Sequence, residues 1–195
     1  MWAVLVVSHT GQLMEQTALT GSRIGARFAS GYARTLLHVV SIPAVIAMAV
    51  IVFLLALWRG SRRRALWAAG TIAATNASAQ LLKHTLLWRP DFGLSQRWDA
   101  ANTLPSGHTA VAASTAVALV LVVGARWRSL TAWVGALLAA AMGYSTLVCQ
   151  WHRPGDVMAA LLLAVGWGAV AVACGAWAND EPAPGGRTGP DDGGG

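Results

Sequence analysis

The sequence predicts an all-α protein, a polytopic bundle of transmembrane helices, and three observations point that way. Of 195 residues, 55% are hydrophobic and only 11% are charged, where a soluble domain carries about a quarter. Mean hydropathy is +0.52. The apolar residues also gather into five long runs between arginine-rich or proline-containing breaks, and a membrane crossing takes about 20 such residues.

The formal net charge of +6 and an isoelectric point near 10.7 would elsewhere suggest a nucleic-acid partner. Here the arginines flank apolar runs, where lipid headgroups and topology account for them, so no nucleic acid is expected. Cys149 and Cys174 lie inside apolar runs and read as core fillers, not as a disulfide or metal pair.

Residues 1–34 read as a partial span followed by an interfacial segment. Trp2 to Val7 is apolar but too short to cross, and no basic region precedes it as in a signal peptide. Either a span upstream has been cut or the chain begins near one surface. From Gln12 to Arg34, Ile24, Phe28 and Tyr32 recur four apart beside Arg23 and Arg27, the pattern of a helix lying along headgroups.

The bundle itself is expected over residues 35–178. Thr35 to Trp58 is the first full span, interrupted by His38 and Pro43, neither of which is given a role. Arg59, Arg62, Arg63 and Arg64 follow as the strongest topological marker. Ala65 to Leu87 is the second span; Asn76, Gln80 and Lys83 form a polar stripe expected to face the bundle interior. Ser106 to Ala125 is the third, ended by Arg126 and Arg128. Ser129 to Gln150 is the fourth, and Val157 to Ala178 the fifth. Residues 179–195, rich in Gly, Pro and Asp, are expected to be disordered.

Charge bias orients the bundle. Placing Arg59, Arg62, Arg63, Arg64, Arg126 and Arg128 in the cytoplasm leaves Arg89, Arg97 and Arg153 on the outer face of the plasma membrane. Three polar clusters then share that face. Lys83, the one lysine, and Arg89 either anchor a span end or neutralise a phosphate, Arg89 through its fork. Pro105-Ser106-Gly107-His108 opens a helix, and free N–H groups at a helix start bind anions while the histidine trades a proton. In the third cluster, Asp156 is either an ordinary helix-start charge or the acceptor that orients His152, freeing its other nitrogen to attack.

Together these residues resemble the type 2 phosphatidic acid phosphatase family, whose motifs are Lys, six residues, Arg-Pro; then Pro-Ser-Gly-His; then Ser-Arg, five residues, His, three residues, Asp. Pro105 to His108 is the complete second motif. Ser145, His152 and Asp156 fall at the spacing of the third. Two departures stand out. Only five residues separate Lys83 from Arg89, so Arg89 must reach the site from unwound chain, which Pro90 favours. Thr146 replaces the third-motif arginine, with Arg153 as a substitute from the turn.

The resemblance implies a six-span architecture, no cofactor and no metal. It implies that His152 attacks phosphorus, Asp156 holds its ring, and His108 protonates the leaving alcohol. Lys83, Arg89, Ser106, Gly107, Thr146 and Arg153 would bind the phosphate oxygens. The expected activity is hydrolysis of a lipid phosphate or polyprenyl (pyro)phosphate held in the bilayer. A non-catalytic lipid-binding or transport protein and a lipid phosphotransferase are the alternatives. Thr146→Arg is expected to raise activity or leave it unchanged.

Overall fold

A computed structural model of the chain describes residues 1–22, 26, 30–35, 37, 42–58, 61–94 and 102–178. The described residues are helical, without strands. The expected disordered tail at 179–195 lies outside them, as do Arg23, Ile24, Arg27, Phe28, His38, Arg59 and Arg97.

A π-helical turn, Ala3–Val7, leads into α1, His9–Gly21, where the Ser8 hydroxyl accepts from Gly11 N at 3.0 Å. Such caps satisfy N–H groups that a helix leaves unpaired at its start. The apolar runs then become α2 (Ile42–Trp58), α3 (Arg62–Leu81), α4 (Gly107–Val122), α5 (Arg128–Val148) and α6 (Pro154–Ala173). Ser61 caps α3 through Arg64 N at 3.3 Å, and Pro154 starts α6 where its missing N–H costs nothing. A 3₁₀ turn, Ala125–Trp127, links α4 to α5.

Helix α4 is the hub, packed against α2, α3, α5 and α6. Ala118 and Val122 meet Ala65 and Ala68 of α3 near one end, while Ala110 meets Ala79 of α3 and Ala160 of α6 near the other. So α3 runs antiparallel to α4, and α6 runs parallel to it. Small side chains make this possible: a Cβ at Gly135 of α5 would stand 2.6 Å from that of Ala116. Close helix approach through Ala and Gly gives dispersion contact without large side chains.

Much of the outside of the bundle is apolar among the described residues. Trp133, Leu137, Leu138, Leu162 and Val165 are exposed, whereas Thr75, Ser114 and Thr115 are buried. Two stretches, Ala125–Val148 and Pro154–Ala173, are long and apolar enough to cross a membrane, with mean hydropathy 1.4 and 2.0.

Several expectations shift. Gln80 faces outward and pairs with His84 at 3.1 Å, so only Asn76 of the upper stripe turns inward, donating to Ser114 Oγ at 3.2 Å. Cys174 is exposed rather than core. The described start of the headgroup segment, α1, buries Gln12 and Glu15.

Candidate active site

Helices α4 and α6 begin side by side, and their starts are tied together. Ser106 N donates to Asp156 O at 3.0 Å, while the Ser106 hydroxyl caps α4 by accepting from Thr109 N. Ser106 is fully buried, yet open space adjoins Gly107, where a Cβ would meet nothing within 4 Å. Two helix N-termini at one place concentrate positive dipole ends.

Asp156 occupies the third position of α6 and is 1% exposed. Its Oδ2 accepts from Arg153 N at 2.9 Å, from the Thr103 hydroxyl at 2.6 Å, and lies 3.2 Å from His152 Nδ1. A carboxylate so held fixes the imidazole ring and places the proton on Nδ1, which leaves Nε2 as a lone pair. The turn carrying His152 is itself clamped, because Thr146 O accepts from Trp151 N and His152 N. Gln150 adopts φ 59°, a left-handed conformation uncommon for a residue with a Cβ, and its amide donates to Leu19 O and Ser22 Oγ of the α1 end.

His108, on the first turn of α4, stacks at a tilt on Trp151 with ring centroids 5.7 Å apart. It lies within electrostatic reach of His152 and Lys83, and Lys83 in turn of Asp156. The site therefore brings Lys83, His108, His152, Arg153 and Asp156 to one end of the bundle. Lys83 sits on a π-helical turn, Leu82–Leu86, closed by Leu87 N to Leu82 O at 2.9 Å. Such turns insert a residue into the helical register and recur at functional sites. Arg89 follows on non-helical chain and donates to Gln12 Oε1 at 2.9 Å. Burial first, then the neighbouring Arg153 charge, lowers the Arg89 pKa from its ordinary value.

Thr146 departs from the expected phosphate contact. It is 0% exposed, and its hydroxyl donates to Gly143 O at 2.7 Å inside α5. Its contribution is the carbonyl that anchors the His152 turn. Arg153 is buried, with Nη1 donating to Thr103 at 3.1 Å.

Four participants were not singled out as site residues. Thr103 bridges Asp156 and Arg153. The Asn102 amide reaches Leu87 O at 3.2 Å and Leu104 O at 3.3 Å, fastening the approach to Pro105 onto the end of the π turn. Gln12 and Glu15 enter from α1. Glu15 Oε1 accepts from Gly155 N at 2.7 Å. Burial, and then the Asp156 charge, raises the Glu15 pKa from 4.5 to about 7.

The family model of the PAP2 superfamily matches residues 64–180, more than half of the chain. No curated protein and no solved structure matches it.

Proposed function

The chain belongs to the PAP2 superfamily, which implies phosphatase activity in general terms; from that premise we propose an integral membrane phosphatase acting on a lipid phosphate or polyprenyl (pyro)phosphate. The observation that carries the reading is the His152–Asp156 contact at 3.2 Å, at the end of the bundle that also holds Lys83 and His108.

In the proposed reaction, His152 Nε2 attacks phosphorus in line with the ester oxygen. The P–O bond breaks, its electron pair goes to the alcohol oxygen, and His108 gives that oxygen its proton. Water then gives a proton to His108 and attacks the phospho-histidine. The P–N bond breaks, its pair returns to Nε2, and inorganic phosphate leaves. Lys83, Arg89, Ser106 and the Gly107 N–H hold the phosphoryl oxygens as charge builds on them. Arg153 adds a positive charge beside Asp156.

The membrane setting draws on the two long apolar helices and the apolar exterior. In this reading α2 to α6 make five crossings, and the site end, bearing Lys83, Arg89 and Arg153, faces outward. The end bearing Arg62, Arg63, Arg64, Arg126 and Arg128 faces the cytoplasm. The lipid tail lies among the helices while its phosphate meets the starts of α4 and α6.

The test is inorganic phosphate released by purified protein from phosphatidic acid, phosphatidylglycerol phosphate and polyprenyl pyrophosphate. Release by wild type and none by His152→Ala is expected. Equal release by both overturns the reading. A non-catalytic lipid binder, favoured by the enclosed Thr146 hydroxyl, would bind these lipids and release nothing.

A further inference from the structure

Helix α1 lies outside the stretch that the family matches, yet two of its side chains end in the site. Gln12 accepts from Arg89 and donates to Pro90 O at 2.8 Å, so it holds the arginine of the first cluster. Glu15 holds the third cluster through Gly155 N. Its side chain is enclosed, at 3% exposure, and Oε2 meets no hydrogen-bond donor among the described residues. A Cβ at position 155 would run into Glu15 Oε1, so glycine there is what lets the carboxyl reach the backbone.

On the phosphatase reading above, we propose that Glu15 is a positioning residue: it fixes the first turn of α6 and tunes the site's hold on phosphate by gaining and losing a proton. The charged groups that reach it are Asp156 and Arg153 from the start of α6 and Arg89 from the chain after the π turn. With its pKa near 7, Glu15 is neutral in mild acid and ionised in mild alkali. Ionised, it adds a negative charge beside Asp156 and Arg153 and draws on Arg89, the cation that also holds phosphate in this reading. Linkage is reciprocal, so a phosphate arriving above that pH draws a proton onto Glu15.

The experiment is calorimetry of the full chain with inorganic phosphate, wild type against Glu15→Gln, from about pH 6 to about pH 8. Two buffers of different ionisation enthalpy read the protons taken up, and phosphate release is assayed in parallel. Between these limits wild-type affinity should fall about tenfold more than that of Glu15→Gln, with extra proton uptake near neutrality. Glu15→Ala, which removes the acceptor for Gly155 N, should lower kcat about tenfold even in mild acid, whereas Glu15→Gln keeps it. Identical affinity profiles and proton uptake in wild type and Glu15→Gln overturn the proposal. Equal kcat losses in both variants, in step with their melting temperatures, would show a merely structural role and overturn it too. Glu15-dependent proton uptake without hydrolysis would sink the phosphatase reading and leave this one standing.

Discussion

One oxygen of Asp156 receives the Thr103 hydroxyl, the Arg153 N–H and the His152 ring. An amide at this position can keep the shape but not the charge, and it can turn its NH₂ toward Nδ1 and select the wrong tautomer. Asp156→Asn is expected to fold, by circular dichroism, and to lose about 10³-fold in kcat. Glu15 makes a separate prediction about stability. Its folded pKa of about 7 exceeds the ordinary 4.5, so between those values the folded chain binds more protons than the unfolded one. Its contribution to stability therefore falls as pH rises through that window and is level above it. The melting temperature of Glu15→Gln minus that of wild type should be larger at about pH 8 than at about pH 5; an unchanged difference would contradict a buried, titrating carboxyl.

Among the elements, α5 turns an expectation around. The sequence suggests that Thr146→Arg restores a missing phosphate ligand, but position 146 is fully buried with its hydroxyl bonded inside the helix. A guanidinium forced into that place is expected to destabilise by about 3 kcal/mol or more and to lower activity by disturbing the His152 turn, read by denaturant unfolding and phosphate release. Gly155→Ala should displace Glu15 from α6 and cost about 1–3 kcal/mol, while Ala at Gly107, beside open space, should leave stability nearly unchanged.

The five apolar runs announced α2 to α6, because run length and arginine breaks survive any detail of packing. The π turn at Leu82–Leu86 was not legible: a slip of one residue in hydrogen-bond register leaves no composition signal, though it shifts Lys83 relative to the α-helix that carries Asn76 and Gln80. The His152–Asp156 contact was readable from spacing, since the two residues lie four apart across a helix start. Gln12 and Glu15 were not, because polar residues on a terminal amphipathic helix look solvent-facing when their partner is 140 residues away in sequence, as Gly155 is from Glu15.

At the scale of the molecule, many large apolar side chains among the described residues are exposed, Trp133, Leu137, Leu162 and Val165 with them, more than a soluble surface ordinarily shows. The protein is expected to remain with membranes through alkaline carbonate washing; release into the soluble fraction would contradict the bilayer reading. Among the described residues, α4, the helix carrying His108, packs against α2, α3, α5 and α6, and at the site end it meets α3 and α6 through Ala110, Ala79 and Ala160. The central claim is that His152, held by Asp156, accepts the phosphoryl group. Its most direct measurement is rapid quenching of turnover with ³²P-labelled phosphatidic acid, followed by mapping of the protein-bound label. Acid-labile label on His152, absent from His152→Ala, is the predicted result. Turnover with no label on the protein, or label on another residue, would contradict the account.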